Sequence, residues 1–474
     1  MTRAKKKSPD AEASGAKAPR KRHTAALPAD ATRGERPVVA IVGRPNIGKS
    51  TLFNRLVGER IAIVEDVPGV TRDRHYADAE LGGRDVVLID TGGFDPESED
   101  PMREGIARHV RMALEEADVV VALLDATTPL TPADRAAAEL LRRSKARVVW
   151  AINKADDKRR AMEGLEHYEL GMDTLHPISA LHGRGLPELE DAIAAALPDR
   201  TSGGAAFDES VPRVAIIGRP NAGKSSLTNR LLGEERQLVD SRPGTTVDPI
   251  DTLLERDGKR YVLIDTAGIR RKRGIDESVE AIAVMKAIRS IERADVVVLL
   301  VDAAEGIAEQ DARLAGLIVD RGRALVVGLN KADLLDERAR NEAMRVANET
   351  LSFAPWARIV MLSARTGRSI GKLLEAVDGA RAEHGKRIST SEMNRFFEEV
   401  LAHHPPPTAK GRSVRLYYVT QAETHPPRFV VVTNEPDHVH FSYQRYVVNA
   451  IRERFGFEGT PIRVSYKAKQ RRAE

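Results

Sequence analysis

Short, wholly apolar runs recur along this chain, separated by segments of helical period. In the first half they are VVAIVG after Pro37, then 86–90 (VVLID), 119–125 (VVVALLD) and 148–153 (VVWAIN). In the second half they are 214–218 (VAIIG), 262–265 (VLID), 296–302 (VVVLLVD) and 325–330 (LVVGLN). Strands that are apolar at every position are buried on both faces, and strands alternating with helices build a parallel sheet. The pattern therefore predicts an α/β fold made of two tandem doubly wound domains, at 37–197 and 212–383. Residues 198–211 are rich in Pro, Gly and Ser without a strand pattern and read as a linker that would let the two domains move.

Beyond residue 384 the pattern changes. This stretch holds 11 of the 20 aromatic residues of the chain. It reads helix (SEMNRFFEEVLAHH), stopped by Pro405-Pro406-Pro407, then two strands (RLYYVTQAE, RFVVVTNE), a second helix (SYQRYVVNAIRERFGF) and a strand (PIRVSY). An α-β-β-α-β order predicts a small α+β domain over 384–466, with a basic tail at 467–474. Residues 1–36 have no aromatic residue and no period, and read as a disordered basic extension.

The net charge of +4 conceals an uneven distribution. Residues 1–36 and 384–474 each carry a net +6, so the body between them is acidic. Basic ends on an acidic body suggest a polyanionic partner, with solvated Lys/Arg runs as the alternative. There is no cysteine, which excludes disulfides, thiolate metal sites and cysteine nucleophiles. No run approaches the ~20 apolar residues of a membrane span, and the N-terminus lacks an apolar signal core, so a cytoplasmic location is expected. Six of the twelve histidines lie in 384–474, but no pair has ligand spacing on one element.

The chemistry is carried by motifs that occur twice. GRPNIGKS comprises Gly43, Arg44, Pro45, Asn46, Ile47, Gly48, Lys49 and Ser50, followed by Thr51. GRPNAGKS comprises Gly218, Arg219, Pro220, Asn221, Ala222, Gly223, Lys224 and Ser225, followed by Ser226, and lies 175 residues later. Each follows an apolar strand and precedes a helical segment. Such a loop curls its backbone N–H groups around a phosphate. Its Lys reaches the β- and γ-phosphates and its Ser ligates Mg²⁺.

Asp90, Thr91, Gly92 and Gly93 (DTGG) recur as Asp265, Thr266, Ala267 and Gly268 (DTAG) at the same spacing. The carboxylate can hold Mg²⁺, and the last Gly lets an amide approach the γ-phosphate. Thr71 in PGVTRD and Thr246 in PGTTVD are candidates to complete the Mg²⁺ shell. The predicted Mg²⁺ ligands are thus Ser50, Thr71 and Asp90 in one copy, and Ser225, Thr246 and Asp265 in the other.

NKAD places Asn153, Lys154 and Asp156, and again Asn330, Lys331 and Asp333, after apolar strands. A carboxylate there accepts from guanine N1–H and the 2-amino group, donors that adenine lacks. The Asn braces the loop. Ser179-Ala180 and Ser363-Ala364 can offer a backbone N–H to guanine O6. Four ordered motifs in duplicate predict two complete sites for GTP and GDP with Mg²⁺.

These residues resemble the GTPases of the Era/TrmE type. The tandem arrangement, the paired loops, DTAGIRRK and YQRYVVNAIRERFGFEGTPIR resemble the family called Der or EngA, over roughly 37–466. The resemblance implies P-loop GTPase domains followed by a KH-like domain, and a GTP-hydrolysing switch that assists assembly of the large ribosomal subunit. The implied partners are that subunit and its rRNA, with no membrane or DNA partner and a monomer off the ribosome. Relatives of this type can use K⁺ near a phosphate-loop Asn, which points to Asn46 and Asn221. Where other GTPases place a water-orienting Gln, this chain has Phe94 and Ile269, so the catalytic charge must come from a backbone group, a partner or a cation. Gly456-Phe457-Glu458-Gly459 spells GxxG but lies between a helix and a strand, so it reads as a helix stop rather than an RNA clamp.

Two other readings compete. A switch acting on protein partners in cell-cycle control would show no nucleotide-dependent ribosome binding. A tRNA-modifying enzyme of this type would need a C-terminal cysteine that the chain lacks. Arg270, Arg271, Lys272 and Arg273 after the second DTAG could sense the other domain or RNA; an exposed loop is the plainer reading.

Overall fold

A computed structural model describes residues 36–58, 76–91, 110–198 (apart from 112, 115, 145, 158, 159 and 161–163), 211–234, 251–265, 280–407 and 413–469. The N-terminal extension before Arg36, most of the linker, and the end of the basic tail lie outside the described residues. So do Thr71, Gly92, Gly93, Phe94, Thr246, Thr266, Ala267, Gly268, Ile269 and 270–273.

In the first domain β1 (Val38–Val42) is buried at every position. It lies parallel to β3 (Arg84–Asp90) on one side and β4 (Val119–Asp125) on the other. β5 (Arg147–Asn153) and the short β6 (Leu175–Pro177) extend the parallel set, and β2 (Tyr76–Leu81) closes the far edge antiparallel to β3. The order is β2-β3-β1-β4-β5-β6. Alternate side chains of the central strands bury to opposite faces. Val39, Ile41 and Leu123 face α1 (Lys49–Val57) and α3 (Leu186–Ala196), while Ala40, Val42 and Ala122 face α2 (Pro132–Arg143).

The second domain repeats this plan. Its strands are β7 (Arg213–Ile217), β8 (Thr252–Arg256), β9 (Lys259–Leu263), β10 (Val296–Asp302), β11 (Ala324–Asn330) and β12 (Arg358–Met361). Their order, β8-β9-β7-β10-β11-β12, is the first sheet over again. Around it lie α4 (Lys224–Glu234), α5 (Glu280–Arg293), α6 (Glu309–Asp320), α7 (Glu337–Thr350) and α8 (Ile370–His384). One expected run is corrected here. The strand predicted over 262–265 ends at Leu263, because Asp265 turns into the left-handed region (φ 56°).

The third domain is α9 (Thr390–His403), β13 (Leu416–Glu423), β14 (Arg428–Thr433), α10 (Phe441–Phe455) and β15 (Arg463–Ala468). β13 and β14 are antiparallel, β14 and β15 parallel. Both helices cover one face through Phe396, Phe397 and Phe455, with Phe457 just past the second helix packed among them. Gly456 (φ 86°) ends α10, as a helix stop should. The rest of GxxG has a further job. The Gly459 amide donates to the Trp356 carbonyl and its own carbonyl accepts from Leu325 N, both at 2.8 Å, which ties the third domain to the second. A Cβ at Gly459 would meet Cβ of Ala380 at 2.6 Å.

One apolar cluster runs through both G domains, and ions add to their contact. Glu292, at the end of α5, has a side chain 1% exposed. It accepts from Arg36 Nη2 at 2.8 Å and Nε at 3.2 Å, with Arg321 and Arg323 at 3.4 and 3.5 Å. Arg36 also donates to Asp78 of β2 at 2.6 Å, and Arg321 pairs with the same carboxylate. No helix among the described residues is long and apolar enough to cross a membrane.

Candidate functional site

Both phosphate loops leave a buried strand, and their backbones agree closely. Gly43 and Gly218 have φ 148° and 152°, Asn46 and Asn221 both 64°, Gly48 and Gly223 95° and 96°. Gly43 must be glycine, since a Cβ there would press on the Leu123 carbonyl. Lys49 Nζ donates to the carbonyls of Gly43 (2.9 Å) and Arg44 (2.6 Å); Lys224 does the same to Gly218 (2.9 Å) and Arg219 (2.8 Å). Burial pushes the Lys49 ammonium below its ordinary pKa, and Asp90 opposes this. Each lysine is thus held across its loop, at the start of a helix whose N-terminal amides favour an anion.

Arg44 and Arg219 reach a partner that sequence reasoning missed. Arg44 Nε pairs with Asp134 at 2.9 Å, and Arg219 Nε with Asp311 at 2.8 Å. Each Asp is also the buried residue that caps the start of α2 or α6: Asp134 accepts from Thr131 N and Asp311 from Ala308 N, both at 2.9 Å. The only hint in sequence is the capping pattern TPAD before α2. Each phosphate loop is therefore anchored from behind.

The base-reading residues converge in the same duplicated manner. Asn153 Nδ2 donates to the Ile47 carbonyl at 2.8 Å, and its Oδ1 accepts from Ala180 N at 2.9 Å. Asn330 does likewise to Ala222 and from Ala364, at 2.9 Å each. The Asn thus braces two loops at once. Of the pairs expected to offer an amide to guanine O6, the Ala180 and Ala364 amides are both engaged by this carboxamide. Ser179 Oγ donates to Asp156 Oδ1 at 2.7 Å, and Ser363 Oγ to Asp333 Oδ1 at 2.6 Å. These hydroxyls are the main reason both carboxyls lie below the ordinary range. Each is a charged acceptor near neutral pH. Lys154 and Lys331 grip Asp125 and Asp302 at the ends of β4 and β10.

The aspartates of the third motif differ. Asp90 is buried at the end of β3, and Ser50 Oγ donates to its Oδ2 at 2.5 Å. Thr91 is fixed beside it by a bond to the Ile41 carbonyl at 2.8 Å. Asp265 has left its strand, and its amide donates to Asp251 Oδ1 at 3.1 Å.

Comparison with known proteins follows this layout. A model described as "50S ribosome-binding GTPase" matches residues 38–154 and again 213–331. A second, described as "KH-domain-like of EngA bacterial GTPase enzymes, C-terminal", matches 387–467. GTPase Der of Geotalea daltonii is 46% identical over 439 residues, 92% of this chain and 99% of that protein. GTPase Der of Geobacter metallireducens is 47% identical over 441 residues, with the same shares. Among solved structures, Era from Aquifex aeolicus bound to GDP·AlF4⁻ aligns with 55% of this chain and 93% of its own at 18% identity and a TM-score of 0.28. Two P-loop GTPase domains, a KH-like third domain and near-half identity over almost the whole of both sequences place this chain in the GTPase Der family, as a GTP-hydrolysing enzyme.

Proposed function

We propose that this GTPase is a two-site guanine-nucleotide switch that assists assembly of the large ribosomal subunit. The observation that carries the reading is the double match to the model described as a 50S ribosome-binding GTPase, on two domains with duplicated loop geometry. The KH-like domain and the basic ends would face rRNA, in the cytoplasm, without a membrane or DNA partner.

In each site the loop amides and Lys49 or Lys224 would hold the phosphates, and Asp156 or Asp333 would accept from guanine N1–H and the 2-amino group. Asn153 and Asn330 would keep the phosphate and base loops in register. A hydroxyl and a carboxylate form a hard oxygen set that suits Mg²⁺. Ser50 and Asp90, with Thr71, would hold that ion in the first site, and Ser225 and Asp265, with Thr246, in the second. Bound there, it would neutralise charge between the β- and γ-phosphates. Asn46 and Asn221 share an exposed left-handed turn that would offer an oxygen to K⁺.

A change of nucleotide shifts the domains only if their arrangements bind it with different affinity. The test is co-sedimentation with ribosomal subunits in a GTP analogue, in GDP and without nucleotide. Large-subunit binding that depends on nucleotide is expected. Binding that ignores the nucleotide would sink the switch, and none at all would favour protein partners.

A further inference from the structure

The two sites part company at the aspartate of the third motif. In the first, β3 runs through Asp90, which keeps its place in the parallel ladder beside Ile41. In the second, β9 stops at Leu263 and Asp265 sits at φ 56°. That region is unfavourable for most L-residues and tolerated by Asp. The Asp265 amide donates to Asp251 Oδ1 at 3.1 Å, and Arg293 Nη2 grips Oδ2 of the same carboxylate at 2.6 Å. Both side chains are buried, Asp251 to 5% exposure and Arg293 to 12%. Arg293 is itself fixed, because its neighbour Glu292 is clamped to Arg36, Arg321 and Arg323.

The first site cannot build this pair. Tyr76 holds the place of Asp251, by the offset that relates Asp90 to Asp265. Asp118 and Asp295 each accept the first amide region of their sheets, from Val38 N (2.8 Å) and Arg213 N (3.0 Å). Counting back from them puts Glu116 where Arg293 stands. The difference is therefore written in residues.

We propose that the Asp251–Arg293 pair is a latch on the second nucleotide site: it positions Asp265 outside the strand conformation that Asp90 adopts, and so raises the Mg²⁺ requirement of that site alone. The proposal rests on the reading of Asp265 as a Mg²⁺ ligand. Without the carboxylate of Asp251 the Asp265 amide loses this acceptor, and Asp265 shifts toward the ladder position that Asp90 holds.

The test uses the full chain with Lys49→Ala, so that the second site is followed by itself. Binding of a fluorescent GDP analogue is titrated with Mg²⁺. Asp251→Ala is expected to lower the half-saturating Mg²⁺ about threefold to tenfold, Arg293→Ala to lower it less, and Arg293→Lys to restore it. In nucleotide-free protein, amide exchange of the peptide carrying Asp265 should slow in Asp251→Ala as the residue rejoins the ladder. An unchanged or higher Mg²⁺ requirement overturns the latch. An equal shift at the first site, followed with Lys224→Ala, also overturns it, since that would be general loosening. If Asp251→Ala does not fold, Asp251→Asn carries the same expectation at smaller size. Asp265→Ala separates the two readings: a second site whose Mg²⁺ dependence survives that change refutes the ligand assignment itself.

Discussion

Replacing Glu292 by Gln should weaken the contact between the two G domains. The carboxylate takes two bonds from Arg36 and faces Arg321 and Arg323, with its side chain only 1% exposed. Gln keeps one oxygen and turns an NH₂ group toward a guanidinium. Loss of the charge-assisted bonds alone costs about 1.5–3 kcal/mol. Buried cations left without their anion bring the total to about 3–5 kcal/mol. A protein of several domains does not unfold in two states, so the loss should fall on docking rather than on each core. Calorimetry should show a transition for residues 36–198 separating from the rest, and small-angle scattering should show a larger radius.

The same carboxyl sets a pH dependence. Burial alone would raise its pKa, but Arg36, then Arg321 and Arg323, outweigh burial and hold it below the ordinary 4.5. A depressed folded-state pKa stabilises fully above the unfolded value and is lost as pH falls through the folded one. Docking should therefore weaken below pH 4.5 in the wild type, and that acid limb should shrink in Glu292→Gln. A Glu292→Gln protein within about 0.5 kcal/mol of wild type, the scale of a neutral surface change, would refute the reasoning.

Most of the sheet was legible because a strand buried on both faces is apolar at every position, as in Val119–Asp125 and Val296–Asp302. The strands that escaped notice lie at edges. β2 (YADAEL) alternates polar and apolar, β8 (TLLER) is only partly buried, β6 has three residues, and β12 is half-buried. The bracing role of Asn153 and Asn330 was readable because a buried carboxamide after a strand must find partners. The partners of Arg44 and Glu292 were not, because Asp134 and Arg36 lie far away in sequence and only the fold brings them near. The left-handed Asp265 was hidden for the same reason: its amide bonds Asp251, which Arg293 on another element grips in turn. The glycines of GxxG were read correctly as a stop, while the docking of Gly459 against Trp356 needed the structure.

Lys49→Ala and Lys224→Ala should each reduce guanine-nucleotide stoichiometry from two to one by equilibrium dialysis; two sites retained in either would remove that lysine from phosphate binding. GTP hydrolysis in KCl should exceed that in NaCl at equal ionic strength, and equal rates would dismiss Asn46 and Asn221 as cation ligands. Gly459→Ala, which forces a Cβ onto Ala380 from φ 73°, should cost about 1–3 kcal/mol and loosen the third domain, read as faster amide exchange across 456–468. Asp333→Asn should exchange base specificity at the second site. Ser363 Oγ holds Oδ1 of Asp333 and the exposed Arg365 pairs with Oδ2, so a base would take the Oδ2 side in exchange for Arg365, and in Asn that position becomes a donor. A donor meets donors on guanine but a carbonyl on xanthine. Two unpaired polar groups at about 1–3 kcal/mol each predict a fall in GTP affinity of roughly 10²- to 10⁴-fold, with xanthosine triphosphate gaining. Retained GTP affinity, or no gain for the xanthine nucleotide, would mean that Asp333 does not read the base.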